Sequence, residues 1–181
     1  MKNNIIDPSK YSSDIPSKAG YYKWWAKKEE IKKIIKEPYQ ELIEKLEPGS
    51  DELEGYFLIY FGISSSVRRR LNYHINQNHS DINVDKGYLS TLRQTISSLL
   101  TGKQRGEYCQ KETDKFINKL RVQYFIIDKS GDDDVKKYLD EKEKKAFKEH
   151  ILPLNIKNNN NKKTEDFKKH LRKKRKEAKQ K

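Results

Sequence analysis

The chain has 181 residues with 40 Lys/Arg against 27 Asp/Glu, room for one domain with an appendage, and residues 157–181 alone hold 12 Lys/Arg and 3 Asp/Glu, a net of +9 that leaves +4 of the total +13 for residues 1–156. That segment attracts polyanions without specificity, and says little about the rest. A lone cysteine (Cys109), histidines without HxxxH spacing, no N-terminal apolar core and no apolar run near the ~18 residues of a membrane span exclude a disulfide framework, a structural zinc site, a signal peptide and a spanning helix, so a cytoplasmic protein is expected.

Residues 1–18, polar with Pro8 and Pro16, read as an irregular lead-in. Ala19–Ala26 (AGYYKWWA) is dense in aromatics and is predicted to be the first strand, with Trp24 and Trp25 on opposite faces. The period then changes: Ile31, Ile34 and Ile35 share one helical face, as do Leu42, Ile43 and Leu46, and Pro38 splits them into two short helices. This helical insertion, 27–54, ends in the turn signal Pro48-Gly49-Ser50. Gly55–Ile63 is the second strand, and Ser64–Ser66 can cap a helix over Val67–Ile75 on which Arg70 and His74 share a face. Asn76–Gly87 reads as a loop. Ser90–Leu100 reads as a helix with Arg93 at the edge of its apolar stripe, and Thr113–Leu120 as another. Arg121–Asp128 is the third strand. After the acidic turn Gly131–Asp134, a helix over Val135–His150 carries Glu143 on the same face as Leu139, Ala146 and Phe147, where a carboxylate needs a reason. Ile151–Ile156 is an extended closing segment, and 157–181 is expected to be a disordered basic tail. These elements predict an α+β fold: a small three-stranded mixed or antiparallel sheet flanked by helices, over 19–156.

Tyr60 on the second strand, Arg70 and His74 on the next helix and the inward Glu143 make up a set suited to a phosphodiester. A guanidinium grips non-bridging phosphate oxygens through a forked hydrogen bond, and the helix N-terminus after Ser64–Ser66 favours an anion. A lone carboxylate is what one Mg²⁺ needs, since that ion keeps most of its waters. A tyrosine serves as a base only where cations lower its pKa from about 10. Each residue alone has a blander reading: Tyr60 as a sheet aromatic, Arg68–Arg70 as a solvated run, Glu143 as surface. The joint spacing carries the argument.

The chain resembles the GIY-YIG nuclease superfamily. Gly20-Tyr21-Tyr22 matches the first signature tripeptide and Tyr60-Phe61-Gly62 the second; Arg70 follows Tyr60 by ten positions, His74 lies four further on, and Glu143 lies twelve before Asn155. Tyr21 and Phe61 replace isoleucines, and the gap between Tyr22 and Tyr60 exceeds the family's short hairpin, an elaboration similar to that of its restriction endonucleases. The resemblance implies Tyr60 as general base, Tyr22 positioning water or phosphate, Arg70 stabilising the transition state, His74 assisting, Glu143 holding one Mg²⁺ per site, and Gly62 and Asn155 near the site as structural residues. Arg68, Arg69, Arg93 and Lys103 are expected to contact DNA, and the insertion and helix 90–100 to read its major groove. The expected activity is a Mg²⁺-dependent endonuclease on double-stranded DNA, most simply a type II-like restriction enzyme, as a possible homodimer. A non-catalytic nucleic-acid-binding protein and a repair or mobile-element nuclease are the alternatives. The latter usually carry further domains, for which 181 residues leave little room.

Overall fold

The computed structural model describes residues 4–128 and 131–180. Its strands β1 (Asn4–Ile6), β2 (Gly20–Lys27), β3 (Tyr56–Ser64) and β4 (Arg121–Ile126) form one antiparallel sheet in the order β1-β4-β2-β3. The expected three strands are thus four. The extra one comes from the lead-in, where Asn4-Ile5-Ile6 pairs with Tyr124, Gln123 and Val122. Three residues are too short for a strand pattern to register in sequence. Of the expected lead-in and tail, residues 1–3 and 181 lie outside the described residues.

Besides short 3₁₀ turns, the described elements include seven α-helices: α1 (Lys28–Ile34), α2 (Val67–Asn76), α3 (Asp81–Asp85), α4 (Thr91–Thr101), α5 (Glu107–Ile117), α6 (Asp132–Glu149) and α7 (Glu165–Lys179). Between β2 and β3 lie α1 and a 3₁₀ turn at Gln40–Lys45, separated around Pro38, and α3 lies within the span expected to be loop. One sheet face, with Tyr22, Trp24, Ile59, Val122 and Tyr124, packs on α1, α2, α4 and α5. The other, with Trp25, Leu58 and Phe61, is covered by Ala146 and Phe147 of α6. Trp24 and Trp25 therefore serve separate cores, as strand alternation requires.

The expected disordered tail is corrected. Residues 165–179 form α7, whose Phe167 and Leu171 belong to the main core beneath α4. The asparagines leading into it are ordered by their own amides, which donate and accept where no regular ladder exists. Asn159 Nδ2 donates to the carbonyls of Leu152 and Asn155, and Asn161 Nδ2 to that of His150.

Helix α4 packs against α1, α5 and α7 with Arg93, Thr95, Ser97 and Ser98 buried, and of its residues Thr91 is exposed, at the N-terminal end.

Candidate active site

Backbone irregularity sets the two signature tyrosines. In the β2–β3 pairing Trp24 faces Tyr60 and Trp25 faces Leu58, so Ile59 is the extra residue of a β-bulge. A bulge re-aims the neighbouring side chain, and it turns both Ile59 and Tyr60 toward the main core. It also frees the Ile59 carbonyl on the open edge of β3, where the closing segment binds it through Leu154 N–H at 3.1 Å. The next residue, Asn155, donates Nδ2 to the Phe61 carbonyl at 2.8 Å and accepts the Phe61 N–H on Oδ1 at 2.9 Å. One amide thus stands in for a missing strand beside Tyr60 and fastens the closing segment there.

Tyr22 pairs with Gly62, diagonal to Tyr60, and the two rings lie 6.4 Å apart. Gly62 is required for contact: a Cβ there would lie 2.3 Å from the Tyr22 hydroxyl. Gly20 is equally constrained, since its Cβ would meet the Phe125 carbonyl at 2.1 Å and Val67 Cγ2 at 2.8 Å. The glycines of the two tripeptides are spaces that let a neighbouring strand and ring approach.

The N-terminus of α4 orients both tyrosines. His74 is buried, with Nε2 2.9 Å from the Tyr22 hydroxyl and Nδ1 3.0 Å from Ser90 Oγ. Ser90 caps α4 by accepting the Arg93 N–H, and Thr91 Oγ1 lies 3.4 Å from the Tyr60 hydroxyl. Burial, with Arg70 and Arg93 nearby, drives the His74 pKa down to about 3, so its imidazole is neutral. Burial also raises the Tyr22 phenol well above its ordinary value; Tyr60 adds to this and Arg70 opposes it. The Tyr60 phenol is raised by burial, against the Thr91 hydrogen bond and Arg70.

These residues open on a cleft of about 560 Å³ lined by Tyr22, Tyr60, Gly62, Arg70, Thr91, Asp140, Glu143, Asn155, Asn158 and Arg175, among others. Glu143 projects into it from α6. Burial pushes its carboxyl up and Asp140, three residues earlier, adds to this, while Asn158 and Lys157 pull down. Two hard carboxylates in a partly desolvated cleft suit a hydrated divalent cation. Among the described residues no group of three or more His, Cys, Asp or Glu could hold a metal, so a bound ion would draw most of its shell from water and substrate.

The expected DNA contacts divide. Arg69 lines a groove that runs between α2 and α6 and shares Arg70 and Asp140 with the cleft. Arg68 is tied by Nε to the Ile15 carbonyl and anchors the N-terminal segment. Arg93 is corrected outright: it is fully buried, paired with Asp114, bonded to His79, and donates to the carbonyls of His74 and Ile75 that end α2. Lys103 is exposed beyond α4 and lines no part of the cleft. Sequence reasoning missed Ser90, Thr91, Asn158 and Arg175. Only Arg175 left a signal: it stands four residues after Leu171 on the apolar stripe of α7.

A small antiparallel sheet and the helices on its two faces thus bring two tyrosines, an arginine and a carboxylate to one cleft. The family model of the GIY-YIG catalytic domain matches residues 20–177, most of the chain, and the protein belongs to that family. A GIY-YIG catalytic domain is a nuclease domain and implies DNA as substrate. No curated protein and no solved structure matches the chain. Among the described residues no helix is long and apolar enough to cross a membrane.

Proposed function

We propose that the protein is a Mg²⁺-dependent endonuclease of double-stranded DNA acting in restriction. The observation that carries this is the single cleft shared by Tyr22 of β2, Tyr60 of β3, Arg70 of α2 and Glu143 of α6. Tyr60 is the general base. Its phenol is perturbed less than that of Tyr22, and Arg70 already favours its ionised form. Tyr22 holds the water or phosphate, with its hydroxyl fixed by His74. His74 positions and does not accept the proton, because burial raises the phenol it meets and lowers its own imidazole, so transfer from one to the other runs uphill. Arg70 grips the phosphate oxygens as charge builds on them. Glu143, supported by Asp140, would hold Mg²⁺, which when bound neutralises charge on the phosphate and leaving oxygen. The helical elaboration between β2 and β3, similar to that of restriction endonucleases, favours the restriction setting, and palindromic sites would suit a homodimer.

Purified protein with Mg²⁺ should cut unmodified plasmid DNA, and Tyr60→Phe, Arg70→Ala and Glu143→Gln should each lower the rate by at least about 10²-fold while retaining DNA binding. Full activity in Glu143→Gln removes the metal role. Absence of cutting by the parent protein on any DNA removes the nuclease reading in favour of a binder. Mapping of the cut ends tests restriction, since random ends are incompatible with it.

A further inference from the structure

Helix α7 delivers into the active cleft a cation with which no carboxylate of the described residues forms an ion pair. Arg175 lines the cleft with Tyr22, Tyr60 and Arg70, and its backbone lies on the stripe that carries Phe167 and Leu171 into the core. Among the described residues its side chain bonds only to Gln94 Oε1 of α4, and none of their carboxylates pairs with it. The two fully buried cations differ from this half-buried one: Arg93 has Asp114, and Lys168 has Glu165 at 2.8 Å. Burial pulls the Arg175 guanidinium below its ordinary value, and the nearby Tyr60 draws it back. A guanidinium remains charged under these conditions, and a partly desolvated charge without a counter-ion is costly unless an anion completes the site.

We propose that Arg175 is a second phosphate clamp, binding a non-bridging oxygen of the DNA strand in the cleft alongside Arg70. The proposal rests on the nuclease reading of the same cleft. Gln94 holds one edge of the guanidinium and leaves its other N–H donors for a forked bond, the geometry a phosphate takes. The C-terminal helix is then part of the active site, and not only of the core.

The test uses the full chain as wild type, Arg175→Gln and Arg175→Lys, with plasmid cleavage in Mg²⁺, salt-dependent binding of a short fluorescein-labelled duplex in EDTA, and thermal melting. Loss of one phosphate contact lowers the slope of log K against log salt by about one in Arg175→Gln. Loss of a transition-state donor slows cutting on the order of 10²-fold. Arg175→Lys keeps the slope and cuts at an intermediate rate. A wild-type slope and rate in a folded Arg175→Gln overturns the assignment. So does a rate loss that is equal in both variants and tracks the folded fraction. Arg175→Met, which keeps the apolar stem, carries the same test if the glutamine variant does not fold. A wild type that binds with an Arg175-dependent slope yet cuts nothing upholds the clamp and sinks the nuclease reading. A wild type that cuts while Arg175→Gln cuts equally does the reverse.

Discussion

His74 joins the catalytic set to the stability of the fold. Both its nitrogens are engaged, to Tyr22 and Ser90, and burial holds its pKa near 3; His79, bonded to the Gln104 carbonyl and Arg93, is held by burial and Arg93 near 4. Both folded-state values lie below the unfolded value of about 6.5. Between the two, the unfolded chain binds protons that the folded chain refuses. The stability these neutral rings allow is therefore full above pH 6.5 and declines as pH falls toward 4. At pH 5.5 each histidine costs roughly 1 kcal/mol relative to pH 7.5, a range in which ordinary carboxylates scarcely titrate. Urea unfolding should show this loss in the wild type and a flatter profile in His74→Asn/His79→Asn, whatever the intrinsic cost of the substitutions. An unchanged profile would mean that neither ring is held neutral. The pairing of Arg70 with His74 on α2 was legible in sequence because both fall at helical spacing. The Ser90 and Thr91 partners were not, since they sit at the N-terminus of α4, whose placement beside His74 only the tertiary fold decides.

Helix α7 shows how composition can hide an element. In 165–179 the basic residues outnumber all others, yet Phe167, Leu171 and Ala178 recur at helical spacing and are buried. The same spacing identified Glu143 on α6, and applied to α7 it reaches Arg175. Phe167→Ala should destabilise the protein by about 3–5 kcal/mol, as expected for an aromatic removed from a packed core. A disordered tail would give no change in urea midpoint, so the measurement separates the two readings directly. Other elements lacked any local signal. The bulge at Ile59 depends on the register of β2 against β3, and β1 gains its hydrogen bonds only from β4, more than a hundred residues away. Arg93 sat at the margin of an apolar stripe in sequence. Its burial depends on Asp114 and on the C-terminal carbonyls of α2, which an intrahelical pattern cannot reveal.

Three grooves that share residues with the cleft carry basic side chains. Arg70 and Asp140 connect it to a groove bearing Arg69, Tyr73 and Lys136; Asn158 connects it to one bearing Lys144, Lys148, Lys162 and Lys163; and Arg175 connects it to one bearing Arg172, Lys176 and Lys179. A further groove, with Lys111 and Lys115, shares no residue with the cleft and also carries Glu107 and Asp114. A duplex whose phosphate enters the cleft must lay its flanking phosphates along the connected grooves, and each contact releases counterions. Replacing Lys144 and Lys148 by alanine should therefore lower the slope of log K against log salt by about two, as should replacing Arg69 and Lys136. The Lys111→Ala/Lys115→Ala pair should leave it unchanged. The relevant measurement is duplex binding across a salt series in EDTA, because removal of divalent cations keeps the substrate intact and isolates the electrostatic term. Equal slope losses for all three pairs would show that the chain's excess charge binds DNA diffusely. Losses confined to the first two would trace the path of the strand on both sides of Tyr60.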